Sequence, residues 1–220
     1  MPDHPLLLGH RGLRMPPGPP ENTLSAFDFA LECGCDGFEF DVRLTGDERA
    51  VICHDPRVKG HVVADAGCGQ LDELPQLEQV LEKYASRAFL DIELKVPGLE
   101  ATTLALLKRH APQRGVVLSS FLPEVIRELH SQDPCVPLGI ICDTREQLVQ
   151  WKDLAIEWVI PQYRLLTKEL ADEAHDSGVR LMVWTVNRPV DMERFAGMDV
   201  DAIVSDDPRL LVKTLAAKTP

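Results

Sequence analysis

The chain has 220 residues, 45% hydrophobic and 26% charged, which suits one domain with a substantial core or a small barrel. Its formal net charge of −12 argues against general binding to nucleic acid or to an anionic membrane surface. No apolar run approaches the roughly 18 residues that a membrane-spanning helix needs. The start, Met1 to Pro5, lacks a basic leader, so a cytoplasmic location is expected.

Residues 6–10 read as a short buried strand ending on His10-Arg11-Gly12. A proline-rich loop follows, and Asn22 or Thr23 then caps a helix with Leu24, Phe27, Ala30 and Leu31 on one face. Next, Phe38, Phe40 and Val42 alternate with Glu39, Asp41 and Arg43. The period of two places Glu39 and Asp41 side by side on one face of a strand. Adjacent carboxylates repel and are costly to desolvate, and a hard divalent cation resolves both problems. Solvated acids on a surface strand are the simpler alternative. Thr45 to Glu48 read as a turn, and the chain returns through Ala50 to Cys53 to end on His54-Asp55, near the carboxylate pair.

Residues 56–69 show no period and are expected to be a loop over one end of the fold. A helix with Leu77, Val80, Leu81 and Tyr84 inward leads to a strand over 88–95, which carries Asp91, Glu93 and Lys95 on one face. The alternation is then regular. Helices are expected over 102–110, over 123–131, from a Thr144/Gln147 capping box to about Leu154, from Thr167 to His175, and from Pro189 and Pro208. Strands are expected over 116–121, 136–142, 158–161, 180–186 and 202–206.

Eight strand–helix units with continuous apolar strands indicate an α/β fold, a (β/α)8 barrel of TIM type. A short hairpin and loop insertion follows the second strand, and residues 1–220 make a single domain. An open doubly wound sheet is the alternative, weakened by the lack of a Gly-x-Gly-x-x-Gly turn after the first strand.

In such a barrel the site lies at the carboxyl ends of the strands. Those ends carry His10, Arg11, Glu39, Asp41, His54, Glu93, Lys95, Ser119, Gln162, Trp184, Thr185, Asn187, Ser205 and Asp206. Glu39, Asp41 and Glu93 can converge as oxygen ligands, which select Mg²⁺ or Ca²⁺, with Mn²⁺ as a further option, rather than zinc. The two histidines suit acid–base work, and Arg11 and Lys95 suit a phosphate. This set describes phosphoester cleavage better than carbonyl chemistry. Two other readings stay open: Lys95 forming a Schiff base as in an aldolase-type barrel, and a non-catalytic binding barrel.

Other residues have plainer readings. His4, His61, His110, His130 and His175 are expected at the surface, and Trp151 and Trp158 in packing. Asp91 and Asp206 are expected to be structural, capping or pairing across the barrel. Cys33, Cys35, Cys53, Cys68, Cys135 and Cys142 include no Cys-x-x-Cys spacing and read as ordinary residues of a reducing compartment.

The motifs His10-Arg11-Gly12, Glu21-Asn22-Thr23, Glu39-x-Asp41, His54-Asp55, Glu93-Leu94-Lys95, Trp184-Thr185-Val186-Asn187 and Val204-Ser205-Asp206-x-Pro208 resemble, in order and spacing, the glycerophosphodiester phosphodiesterase family. The resemblance runs from about Leu6 to the last helix. It implies hydrolysis of a small-molecule glycerophosphodiester to sn-glycerol 3-phosphate and an alcohol. It implies one divalent cation at Glu39, Asp41 and Glu93, with His10 and His54 as general base and general acid in either assignment. Arg11, with Lys95 nearby, would hold the phosphate, and Trp184 would pack on the glycerol carbons. Glu21 and Asn22 would orient Arg11 or the metal ligands. A phospholipase D-like or cyclic-phosphate-forming lyase acting on lysophospholipids is the alternative within the same barrel. Compared with the family pattern, the insertion after His54-Asp55 is short, which points to an open alcohol site, and the loop before Glu21 is longer and richer in proline. The oligomeric state is not indicated.

Overall fold

The computed structural model describes residues 5–215, so the reading of His4 lies outside them. The strands are β1 (Leu6–Gly9), β2 (Gly37–Leu44), β3 (Ala50–Ile52), β4 (Arg57–Val58), β5 (His61–Val62), β6 (Phe89–Leu94), β7 (Val116–Ser120), β8 (Leu138–Cys142), β9 (Trp158–Pro161), β10 (Arg180–Val183) and β11 (Ala202–Ser205). The helices are α1 (Leu24–Glu32), α2 (Leu77–Tyr84), α3 (Glu100–Arg109), α4 (Pro123–Gln132), α5 (Arg145–Val149), α6 (Lys168–Asp176), α7 (Pro189–Ala196) and α8 (Pro208–Leu215).

β1, β2 and β6 to β11 lie parallel in that spatial order. Pairing of Leu6 with Ala202 through Gly9 with Ser205 closes the ring. Each barrel strand leads to a helix, so this is the closed eight-stranded (β/α)8 barrel expected from the alternation. Side-chain alternation divides the apolar residues into two layers. Phe38, Phe40 and Val42 face outward from β2 into the layer under the helices. There Phe27 of α1 stacks on Phe38 at 4.3 Å, and Tyr84 of α2 meets Phe38 edge-on at 5.1 Å. Inside the barrel, Leu8, Phe89, Val117, Trp158, Ile160 and Met182 form a separate plug. The inward positions nearer the carboxyl ends of β2 and β6 are acidic instead. The register pairs Glu39 with Asp91 and Asp41 with Glu93.

The caps follow the local sequence. Thr23 accepts from the Ala26 amide and Thr167 from the Leu170 amide, and Thr144 with Gln147 forms a reciprocal box. Several details differ from expectation. Residues 56–69 are not a plain loop: β4 and β5 form a small antiparallel hairpin, followed by 3₁₀ turns at Val63–Asp65 and Cys68–Gln70. Two-residue strands are too short to show a period. The arm has its own satellite core of Val51, Cys53, Val63, Ala66 and Leu71, joined to the barrel where β2 runs on to pair with β3. The third helix starts at Glu100 rather than near 102. The fifth changes to a 3₁₀ turn at Gln150–Asp153, which buries Trp151. β10 stops at Val183, short of 186. No helix among the described residues is long and apolar enough to cross a membrane.

Candidate active site

The site begins where β1 turns. His10 continues the ladder by donating its amide to Ser205 O at 2.8 Å, and the chain then reverses through Arg11 (φ +50°) and Gly12 (φ +78°). A Cβ on Gly12 would lie 2.6 Å from the backbone of Ala26, so glycine is needed for α1 to pack this close. The turn aims the Arg11 amide at Glu39 Oε2, 2.9 Å away. The Arg11 guanidinium donates from one Nη to Glu21 Oε1 at 2.7 Å. Its Nε lies 3.1 Å from Asp41 Oδ2, close enough to pair by charge without hydrogen-bond alignment. Asn22 also adopts a positive φ (+56°), which asparagine tolerates better than most residues. From there its side chain brackets Asp41, donating Nδ2 to Oδ2 at 2.8 Å and accepting from the Asp41 amide at 3.3 Å.

Glu39, Asp41 and Glu93 are all buried, and one oxygen from each lies within 4.8 Å of the others. Burial raises the Glu39 carboxyl well above its ordinary value, and repulsion from Asp41 adds to this. Burial and Asp41 push Glu93 up to about 8, against the opposing pull of Lys95. Burial acts on Asp41 in the same direction, but Lys95, Arg11 and Asn22 outweigh it and hold this carboxyl below its usual value. Beneath the trio, burial pushes Asp91 up to about 7 although it accepts a 2.5 Å bond from Ser119 Oγ. Glu39 Oε1 is buried with no hydrogen-bond partner. An unsatisfied carboxylate oxygen facing two further carboxylates fits a hard cation with oxygen ligands.

His10 lies beside this trio, with Nε2 3.7 Å from Glu39 Oε2. On its other edge Nδ1 is 2.6 Å from Asp206 Oδ1. Asp206 is held ionised, since the His10 and Asn187 bonds outweigh its burial. An ionised carboxylate only accepts, so the proton sits on Nδ1 and Nε2 carries the lone pair. Burial also lowers the His10 pKa below its usual value more than Asp206 raises it. Asn187 donates to Asp206 Oδ2 at 2.6 Å and accepts from the Ser205 hydroxyl and the Asp206 amide. Arg14 completes this edge: its Nε donates to Glu21 Oε2 at 2.6 Å, and one Nη lies 3.6 Å from Asp206 Oδ1. Glu21 therefore holds both Arg11 and Arg14.

His10, Arg11, Glu21, Asn22, Glu39, Asp41, Glu93 and Lys95 form one connected network. His54 and Trp184 share no hydrogen bond or ion pair with it among the described residues. His54 sits at the rim, its side chain 37% exposed against 9% for His10, with Nδ1 2.8 Å from Asp55 Oδ1. Arg43 anchors its carbonyl at 2.8 Å. Trp184 lies half-buried beyond β10, where its indole donates to Ile160 O at 3.0 Å and meets Phe121 edge-on at 5.6 Å. Sequence reasoning missed Arg14 and the tie between Asp206 and His10. Asp206 carried a signal in its place at a strand end, but Arg14 lies in an irregular loop and carried none.

The model of the glycerophosphoryl diester phosphodiesterase family matches residues 10–210. A glycerophosphodiester phosphodiesterase of Caldanaerobacter subterraneus subsp. tengcongensis is 32% identical over 235 aligned residues, covering 94% of this chain and 96% of the relative. A glycerophosphodiester phosphodiesterase of Bacillus subtilis is 26% identical, covering 96% and 87%. Among solved structures, the glycerophosphodiester phosphodiesterase of Thermotoga maritima superposes with a TM-score of 0.81 at 26% identity, covering 96% of this chain and 98% of that one. An Oleispira antarctica phosphodiesterase, solved with the product sn-glycerol-3-phosphate, has the same fold with a TM-score of 0.84 at 22% identity, covering 96% of each chain.

Proposed function

The chain belongs to the glycerophosphoryl diester phosphodiesterase family, and from that membership we propose that it hydrolyses glycerophosphodiesters to sn-glycerol 3-phosphate and an alcohol, using one divalent cation and two histidines. The observation that carries the reading is the unpartnered, buried Glu39 Oε1 within the Glu39–Asp41–Glu93 trio, next to a histidine whose Nε2 is free to accept a proton.

Those three carboxylates would hold the cation, and their oxygen-only set suits Mg²⁺ or Ca²⁺, with Mn²⁺ as the further option. Such an ion would polarise the phosphoryl oxygens and offset the charge that grows on them during displacement. Arg11 and Lys95 supply fixed positive charge on the same side. His10 acts as the base because Asp206 occupies its Nδ1–H and leaves Nε2 to take a proton from water or from the neighbouring glycerol hydroxyl. His54, at the rim, then protonates the departing alkoxide. Trp184 offers an apolar face to the glycerol carbons. Glu21 and Asn22 hold Arg11 and Asp41 in position. Lys95 does not suit Schiff-base chemistry: burial lowers its pKa, but Glu93 and Asp41 more than reverse this and keep the ammonium charged.

We read the barrel as one catalytic domain, and its free cysteines support a reducing, cytoplasmic setting. The test is release of glycerol 3-phosphate from glycerophosphocholine and glycerophosphoethanolamine after EDTA, with Mg²⁺, Ca²⁺ and Mn²⁺ restored one at a time. Release that depends on a restored cation is expected. Full activity in EDTA would remove the cation from the mechanism, and a cyclic phosphate in the phosphorus NMR spectrum would make the protein a lyase.

A further inference from the structure

A cleft of about 510 Å³ opens beside the site, between the loop that carries Asn22 and the arm that carries His54. That volume lies within the roughly 300–1,000 Å³ usual for small-molecule sites. Its floor is apolar, with Val58, Leu74 and Pro75 partly exposed along it and Ile52 buried beneath. Asn22 lines it while also binding Asp41, so one side chain separates the cleft from the carboxylate trio. His54 lines it too.

Most charges of the rim are already paired, and the one that has no ion pair among the described residues, Arg57, is positive. Glu21 holds Arg11 and Arg14, Glu73 lies 2.9 Å from Lys59, and Asp55 meets His54 at 2.8 Å. No Phe, Tyr or Trp lines it among the described residues. Recognition of a quaternary ammonium rests on aromatic faces or on spare negative charge, and this cleft offers neither. Paired carboxylates, an amide and cationic side chains instead present donors and acceptors together with little net charge, which suits hydroxyl groups. The apolar floor suits the carbon face of a polyol.

We propose that this cleft is the subsite of the departing alcohol and that it takes a neutral polyhydroxy alcohol, such as glycerol or inositol, in preference to choline. The proposal rests on diester hydrolysis with His54 as the acid. In that step the phosphorus–oxygen bond to the alcohol breaks as a water oxygen joins phosphorus. The water's proton passes to His10, and His54 supplies the proton that the alcohol keeps. The alcohol therefore leaves on the His54 side, where the cleft lies.

Two measurements test this. The first compares kcat/KM for glycerophosphoglycerol and glycerophosphoinositol with that for glycerophosphocholine. A preference of about tenfold for the polyol diesters is expected, the size of one or two added neutral hydrogen bonds. Leu74→Trp, or Val58→Trp on the more open hairpin, fills the floor. Either change should abolish the preference while leaving the methyl ester of glycerol 3-phosphate within about twofold of its wild-type rate, its methanol being too small to need the cleft. The second needs no turnover: methyl NMR shifts of Ile52, Val58 and Leu74 are followed on titration with free myo-inositol and with choline. Shifts with inositol and none with choline support the subsite even if no diester is cleaved, and it is then the hydrolytic reading that fails. Larger shifts with choline, a kinetic preference for the choline diester, or equal slowing of every substrate by both Trp variants would overturn the proposal.

Discussion

Lys95 Nζ lies 2.6 Å from Glu93 Oε1 and 3.3 Å from Asp41 Oδ1, so the protein places one of its own cations among the carboxylates proposed to hold a metal ion. The side chain is only 12% exposed, and the interaction is therefore weakly screened. Lys95→Met should destabilise the metal-free protein by about 3 kcal/mol, because buried Glu93 loses its paired cation and Asp41 keeps only Arg11. Excess Mg²⁺ or Ca²⁺ should recover more stability in this variant than in wild type, although turnover stays low. Thermal unfolding with EDTA and with saturating cation measures both effects.

The acid cluster also sets how stability depends on pH. Burial and neighbouring charge push Glu93 up to about 8, and burial pushes Asp91 up to about 7. Unfolded carboxylates titrate near pH 4, so between about pH 4 and pH 8 these two groups bind more protons in the folded protein than in the unfolded chain. The stability that these two acids contribute to the metal-free protein then falls as pH rises through this window. A bound cation offsets the same charge, so its gain in Tm should grow from about pH 5.5 to about pH 8. Calorimetry with EDTA and with excess cation at several pH values checks the sign. An equal gain at every pH would count against the carboxylate trio as the binding site.

Asp206→Asn tests the proposed role of His10 as the base. An amide in place of the carboxylate can donate to Nδ1, which favours the opposite tautomer and puts the proton on Nε2. A fall in kcat of about 10²–10⁴ is expected, with KM little changed. Arg14→Gln should act in the same direction but more weakly, by less than about tenfold, because that side chain is 37% exposed and 3.6 Å from Asp206. Steady-state kinetics on both variants, with Tm as the control for folding, orders the two effects.

Gly37 ties the barrel to the site. A Cβ there would lie 1.8 Å from Phe89 O, a backbone atom with no room to move. Gly37→Ala should cost more than about 3 kcal/mol and disturb the β2–β6 register that aligns Asp41 with Glu93. Gly69→Ala meets nothing within 4 Å and should stay within about 0.5 kcal/mol of wild type. Urea unfolding of the pair separates crowding from the generic effect of losing a glycine.

The alternation of Phe38, Glu39, Phe40 and Asp41 could be read from the chain because a strand's period of two is local, and it placed the acids on the inner face of the barrel. The caps at Thr144 and Thr167 were legible for the same reason, and the choice between Asn22 and Thr23 falls to Thr23. The β4–β5 hairpin was not, since Arg57–Val58 and His61–Val62 are too short to carry a pattern. Long-range pairings were also hidden. Nothing near Arg14 in sequence announces that it lies against Asp206, and the expectation that Asn22 orients Arg11 or the metal ligands did not show that both Nδ2 and Oδ1 of its one amide bracket Asp41. Such contacts come from barrel closure and positive-φ turns, which single residues do not advertise.

β1 and β11 meet at the seam of the ring, and His10 and Asp206 face each other across it, 196 residues apart in sequence. Biosynthesis supplies the histidine well before its partner. A growing chain can form most of its helices and strands on the ribosome and still lack the His10–Asp206 pair, so on the proposed mechanism turnover begins only when β11 docks. Recovery of turnover after denaturation is for the same reason a reporter of ring closure, and it should lag behind the recovery of secondary structure.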